Sequence, residues 1–339
     1  MKHLRVSINE ILCPTDFSDF SEHAMSRAMS LAKWFHARVT AVHVIPLMSP
    51  GVLMPGPIGG NDIALPEDML RERRDDVLKE LGEMAKRHAT PGVKIDTAIL
   101  DGHPWQEIVK FARTLPASLV IMGTHGRSGW ERFLMGSTTE KVMRALPCPV
   151  LTMGRADALT DGPVFRRILC AVDLTPESTS TMEMALSLAE EYLADVTLLH
   201  AIDRGRIEWS PKDSHSRTSA ELIDTAVQAA KEQLERMSEG PHPYKVSGRV
   251  ETDSAWRATI RVAKEMNADL IVVGAHGAGT LGDAFLGSTV NQVVRHAACP
   301  VFIARPIRDP GPESALSTAP SPRIHRPAGA NPEAQARAE

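Results

Sequence analysis

Residues Glu10-Ile-Leu-Cys-Pro-Thr-Asp16 return as Arg167-Ile-Leu-Cys-Ala-Val-Asp173, and this recurrence constrains the fold more than any other feature of the chain. Val39-Thr-Ala-Val-His-Val-Ile45 returns as Val196-Thr-Leu-Leu-His-Ala-Ile202 at the same offset of 157 positions. Leu119-Val-Ile-Met-Gly-Thr-His-Gly126 returns as Leu270-Ile-Val-Val-Gly-Ala-His-Gly277, at an offset of 151. Gly136-Ser137-Thr138 and Cys148-Pro-Val150 follow at that second offset, as Gly287-Ser288-Thr289 and Cys299-Pro-Val301. The chain is one domain written twice, and 339 residues suit two domains of ordinary size.

The change of offset means that the first copy carries six extra residues between its second and fourth strands. The Pro- and Gly-rich stretch Pro46 to Pro66 reads as the loop that holds them; its counterpart, Asp203 to Ser219, is shorter and more polar. The expected organisation is a first domain over 1–154, a linker over 155–166, a second domain over 167–306 and a disordered Pro/Ala-rich tail over 307–339.

Within the first copy, short aliphatic runs predict strands near Glu10–Cys13, Arg38–Val44, Lys94–Leu100, Leu119–Met122 and Val150–Met153. Amphipathic stretches predict helices near Ser21–His36, Glu67–His88, Pro104–Leu115 and Thr138–Ala145, the first capped by Asp19 or Ser21. Strands alternating with helices imply parallel βαβ units, and continuous runs such as Leu270-Ile-Val-Val273 suit strands buried on both faces. The expected fold class is α/β, with five parallel strands per copy and helices on both sides.

Several function classes are excluded. Aromatics make up 4% of the residues, too few for base-stacking platforms, and the net charge of −4 comes with both signs interspersed, so no nucleic-acid partner is expected. There is no apolar run of membrane length and no secretory h-region near the start, so the expectation is a cytoplasmic protein with no membrane partner. Cys13, Cys148, Cys170 and Cys299 form no CxxC pair and read as two small structural positions, each seen twice.

Ligands of open parallel sheets bind beyond the carboxyl ends of the strands, where the strand order reverses. Asp16, Val44 and Gly123-Thr-His-Gly126 fall at such ends. Glycines admit a phosphate close to the main chain, and the helix that opens at Gly136-Ser137-Thr138 offers unpaired N–H groups and a positive dipole end. Arg127 is placed to neutralise a phosphate. The spacing is neither GxGxxG nor a Walker loop, but the same nine residues separate Gly126 from Gly136 and Gly277 from Gly287. Asp16 and Asp173 fit either a turn cap or a ligand contact, and His125 and His276 either touch ligand or brace the turn. His43 and His200 read as satisfied core histidines, Trp105 and Trp256 as packing residues at helix starts. No catalytic constellation and no metal site is expected.

Ile11-Leu-Cys-Pro-Thr-Asp-Phe-Ser18, the late His-Val of the second strand, and Met122-Gly-Thr-His-Gly-Arg127 with Gly136-Ser-Thr138 together resemble the universal stress protein family, and both copies match. The resemblance implies a parallel sheet of strand order 3-2-1-4-5 and edge-to-edge pairing through the fifth strand. In a tandem chain the two copies then pair with each other, through Val150–Met153 and Val-Phe-Ile-Ala304, and a homodimer of chains is a further possible assembly. It also implies ATP, with or without Mg2+, as cofactor. Pro14, Thr15, Asp16 and Val44 would face adenine and ribose; Met122, Gly123, Gly126, Arg127, Gly136, Ser137 and Thr138 would hold ribose and phosphates. The second copy answers with Ala171, Val172, Asp173, Ala201, Val273, Gly274, Gly277, Gly287, Ser288 and Thr289, but has Ala278 in place of Arg127, so weaker binding is expected there. The leading expectation is an ATP-binding regulatory or stress-response module without efficient catalysis. The alternatives are a nucleotide-dependent enzyme, a slow ATPase or nucleotidyl transferase, and a pseudo-dimer whose second site is vestigial.

Overall fold

A computed structural model describes residues 8–46, 67–115, 118–125, 135–154, 165–205, 219–275, 286–305 and 324–325. The first copy runs β1 (Glu10–Pro14), α1 (Asp19–Phe35), β2 (Arg38–Ile45), α2 (Glu67–Arg87), β3 (Ile95–Asp101), α3 (Pro104–Ala112), β4 (Ser118–Gly123), α4 (Ser137–Ala145) and β5 (Val150–Met153). The second repeats it as β6 (Arg167–Ala171), α5 (Ser178–Tyr192), β7 (Asp195–Ala201), α6 (Ser219–Ser238), β8 (Val246–Glu251), α7 (Ala255–Glu265), β9 (Leu270–Gly274), α8 (Ser288–His296) and β10 (Val301–Ala304).

All these strands join one sheet, in which β3-β2-β1-β4-β5 is followed by β10-β9-β6-β7-β8. Within each copy every pairing is parallel. At the join, β5 and β10 run antiparallel, with Val301 opposite Thr152 and Ile303 opposite Val150. The carboxyl edges of the two copies therefore open in opposite directions.

Alternation along the strands divides the core into two layers that both span the join. Ile11, Cys13, Leu119, Ile121, Leu151 and Phe302 face α1, α2, α5 and α6. Leu12, Val120, Met122, Val150, Val301 and Ile303 face α3, α4, α7 and α8. Leu119, Val120 and Ile121 are fully buried in succession, as expected of a strand covered on both faces. Cys13 and Cys170 lie wholly inside, and burial, joined for Cys13 by the Glu22 carboxylate, pushes each thiol up to about 12.

Some local expectations are corrected. The α1 cap is Ser18, which accepts from the Ser21 N–H, and not Asp19 or Ser21; the Ser21 hydroxyl instead donates back to the Ser18 carbonyl at 2.8 Å. Helix α3 stops at Ala112, three residues before its expected end, because the chain tightens so that the Thr114 N–H and hydroxyl both donate to the Phe111 carbonyl. Phe165, within the expected linker, is 1% exposed and packs edge-on against Tyr192. Two residues of the expected disordered tail, Ile324–His325, form β11, antiparallel to β3 at Ala98 and Thr97. The stretches 47–66 and 206–218 lie outside the described residues.

Candidate functional site

The order 3-2-1-4-5 makes the gap beyond β1 and β4 the place where the chain turns to opposite sides, and its counterpart lies beyond β6 and β9. Pro14 ends β1, Gly123 ends β4 and Val44 lies late in β2, so the structure brings these three expected site residues to one edge. Val44 and Met122 are buried on the layer shared with α3 and α4, and Ala201 and Val273 are packed into the same layer in the second copy.

The loop after β1 is held by its own side chains. Thr15 is 6% exposed; its hydroxyl donates to Ser21 Oγ and accepts from the Phe17 N–H, both at 3.0 Å. Asp16 Oδ1 accepts from the Ser18 N–H at 3.1 Å and the Ser18 hydroxyl at 2.6 Å. In the second copy Asp173 Oδ1 accepts from Thr175 in the same two ways. Both aspartates are therefore turn caps. The residue after each stands in the left-handed region, Phe17 at φ 61° and Leu174 at φ 60°. That conformation costs a side-chain-bearing residue about 1–2 kcal/mol, so its surroundings must enforce it. His43 does so in part: its ring stacks on Phe17 at 4.8 Å and its Nδ1 meets the Thr15 carbonyl at 2.8 Å. His200 makes the same bond to the Val172 carbonyl at 2.9 Å. A carbonyl only accepts, so in both rings the proton sits on Nδ1. The two strand histidines are satisfied, as expected, and their work is to fix the loop across the sheet.

The segment after β4 is stitched to the helix that follows. The Thr124 N–H and hydroxyl both donate to the Met153 carbonyl, at 2.9 and 3.2 Å. The Thr124 oxygen then accepts from His125 Nδ1 at 2.9 Å. Burial holds that imidazole below its usual range, and its ring lies 5.2 Å from Phe20. Among the two readings of His125, bracing is the one with described contacts. The Gly136 N–H donates to the Thr124 carbonyl at 2.8 Å, and Thr139 Oγ1 donates to the Gly123 carbonyl at 2.9 Å. In the second copy the Gly287 N–H donates to the Ala275 carbonyl at 3.1 Å.

The glycines separate into two kinds. A Cβ at Gly123 would stand 2.8 Å from the Phe20 Cβ and 3.2 Å from the His125 carbonyl. The close approach of α1 therefore requires this glycine whether or not a ligand is present. Gly136 and Gly287 differ: they cap α4 and α8 at φ −56° and −58°, which any residue adopts. A Cβ at either would meet nothing nearer than 3.4 and 3.7 Å. Neither supplies a side-chain cap, so the first N–H groups of both helices face the carboxyl edge without one. Ser137 and Thr138, with Ser288 and Thr289, form those first turns. Gly126, Arg127, His276, Gly277 and Ala278 lie outside the described residues.

Sequence reasoning missed the cross-copy contacts around these helices. Glu140, in the first turn of α4, accepts from Arg144 at 2.8 Å and from Arg295 of the second copy at 3.3 Å. Only the pairing of β5 with β10 brings Arg295 there. Among the described residues no cluster of three His, Cys, Asp or Glu is placed to hold a metal, and no helix is long and apolar enough to cross a membrane.

The sequence profile described as the universal stress protein family matches residues 7–153 and 165–305. A universal stress protein of Methanocaldococcus jannaschii is 40% identical over 144 residues, covering 42% of this chain and 81% of that protein. One from Mycolicibacterium smegmatis is 27% identical over 300 residues, covering 87% of this chain and 97% of its own length. The crystal structure of a universal stress protein from Archaeoglobus fulgidus DSM 4304 has the same fold, with a TM-score of 0.60 at 22% identity over 88% of this chain and 98% of that one.

Proposed function

Because this chain belongs to the universal stress protein family, matched in both copies, we propose that it is a tandem nucleotide-binding module, each copy holding one adenine nucleotide, ATP foremost, at its carboxyl edge. The observation that carries this reading is the pair of cap glycines. Among the described residues, Gly136 and Gly287 stand where neither backbone conformation nor packing requires a glycine, and neither helix N-terminus has a side-chain cap. A bound phosphate is the group that such a terminus favours and that a side chain at the cap would displace.

In this reading Pro14, Thr15, Asp16 and Val44 flank adenine and ribose through loop backbone and the apolar floor, since Thr15 and Asp16 each use side-chain oxygen on the loop itself. Met122, Gly126, Arg127, Gly136, Ser137 and Thr138 flank ribose and phosphates, with Gly123 supporting the loop. The second copy uses Ala171, Val172, Asp173, Ala201, Val273, Gly274, Gly277, Gly287, Ser288 and Thr289. Any Mg2+ arrives on the phosphates. The role is regulatory and not catalytic: a ligand that binds only the folded state stabilises it, and a partner reads that change.

Mass spectrometry of the nucleotide retained by the native chain, followed by calorimetry with ATP, ADP and AMP, tests the reading. Retained adenine nucleotide and two sites per chain are expected. A chain that retains none and titrates with none refutes it.

A further inference from the structure

The second copy has Ala278 where the first has Arg127, yet an arginine stands close to its site by another route. Arg305 follows β10 directly. The carbonyl of its neighbour Ala304 accepts the Ala275 N–H at 3.1 Å, and the Ala275 carbonyl accepts the Gly287 N–H that opens α8. The main chain at Arg305 is thus two hydrogen bonds from the second cap glycine. By alternation with Val301 and Ile303, its side chain lies on the layer of α4 and α8, where Nη2 donates to the Met143 carbonyl in the last turn of α4 at 2.6 Å. Arg305 is 5% exposed, and neither Nε nor Nη1 has a hydrogen-bond partner among the described residues. Burial works against its charge and lowers its pKa, a penalty that an anion would relieve.

A second orphan lies on the facing helix. Asn291, in the first turn of α8, has a buried Oδ1 with no partner among the described residues. The pseudo-twofold axis that carries Glu140 to Asn291 carries Arg295 to Arg144. Since Glu140 meets Arg295 at the end of α8, Asn291 faces the end of α4, where Arg305 lands. A half-turn of the Asn291 amide presents a donor there in place of the orphaned acceptor. The position of Arg305 in the first copy is filled by Gly154. The copies thus carry their arginine at different positions: Arg127 in the first, and Arg305, at the end of β10, in the second.

Resting on the nucleotide reading above, we propose that Arg305 is the phosphate-binding cation of the second site, taking the terminal phosphate of a nucleoside triphosphate through Nε and Nη1 with Asn291 as second donor. It also ties that site to α4, whose opposite end is the first site. A cross-copy clip without ligand contact is the competing account of the Met143 bond.

The test uses the full chain with the first site weakened about 10- to 100-fold by Gly136→Asp and the two sites fitted separately. ATP, ADP and AMP are titrated into this background and into the same background carrying Arg305→Met. The expected result is ATP binding weakened about tenfold or more by the methionine while AMP changes by about twofold or less. Adding Ala278→Arg should then restore ATP affinity to within about threefold. ATP affinity unmoved by Arg305→Met overturns the proposal, as does an equal loss for all three nucleotides without rescue. If the methionine variant does not fold, Arg305→Lys carries the test: the ATP-over-AMP preference must shrink with the lost fork geometry, and an unchanged ratio is refuting. If the wild type binds one ATP and Gly136→Asp weakens that one site, the second site is empty: this inference and the second-copy half of the nucleotide reading fail, while the first-copy half stands. A wild type that binds none defeats the nucleotide reading itself.

Discussion

Replacing Gly136 by Asp separates a ligand site from a mere turn, because the substitution suits the protein and offends only a phosphate. Gly136 holds an N-cap backbone at φ −56° and ψ 135°, and an added Cβ stands 3.4 Å from the Thr124 carbonyl, an ordinary contact. Aspartate is among the best N-cap residues, better than glycine by a few tenths of a kcal/mol, and its charge at the helix N-terminus adds about 0.3–1 kcal/mol. The unliganded melting temperature should hold or rise by roughly 1–4 °C. A phosphate at the same terminus meets that carboxylate at about 4 Å, where two unit charges repel by about 4 kcal/mol at an effective dielectric of about 20. Ser137 is exposed and Gly136 half-buried, so solvent and salt reduce this to about 1.5–3 kcal/mol, a loss of about 10- to 100-fold in affinity. Calorimetry with ATP, beside differential scanning of the same samples, reads both numbers. An affinity within about threefold of wild type, in a protein at least as stable, would falsify the placement of phosphate at α4.

Gly123→Ala should destabilise the unliganded protein by about 1–3 kcal/mol, since its Cβ would stand 2.8 Å from Phe20, whereas Gly136→Ala meets no such contact and loses only the cap preference of glycine over alanine, about 0.5–1 kcal/mol; a loss at Gly136 as large as that at Gly123 in chemical denaturation would contradict the division of the glycines. Glu22, at the α1–α2 contact, is raised by burial but held below the usual carboxylate range by hydrogen bonds from His88 and Arg87, so its contribution is present above about pH 4.3 and fades as the pH falls through the folded value. Glu22→Gln should therefore lower stability by about 0.5–1 kcal/mol at neutral pH, with the gap to wild type closing in melts below about pH 4; a gap that widens in acid is the opposite sign. Cys13 and Cys170, buried and pushed up to about 12, should resist a disulfide reagent in the native protein while the half-buried Cys299 reacts first; native-state labelling of Cys13, located by peptide mapping, would mean that β1 is not sealed.

The fold was legible because a duplicated pattern repeats its own evidence. The strand runs appear twice, and buried parallel strands announce themselves as uninterrupted apolar stretches. Ends were harder to read. The α1 cap was missed because Asp, Ser, Asp and Ser at positions 16, 18, 19 and 21 are all competent caps, and only the bond from the Ser21 N–H to Ser18 Oγ decides among them. Gly123 and Gly136 look alike in the sequence and differ in space, because Phe20 comes from another helix. Arg305 was invisible as a site residue, since its meaning depends on the antiparallel join and on a helix of the other copy. A two-residue strand such as β11 has no periodicity to detect.

The join of β5 to β10 also settles how the sheet ends. Two separate five-stranded sheets would present four unpaired borders; fused, they leave β3 and β8. The first border is capped by β11. The second carries Arg249 and Glu251, locked with Arg261 and Glu265 of α7 in a ring of ion pairs at 2.6 to 3.3 Å. Charged side chains on an outer strand discourage a second sheet from docking there. Among the described residues, the two outer borders of the sheet thus differ: one pairs at Ala98 and Thr97 with a later segment of the same chain, and the other carries charge. Fusing the copies uses up the borders of β5 and β10 within a single chain.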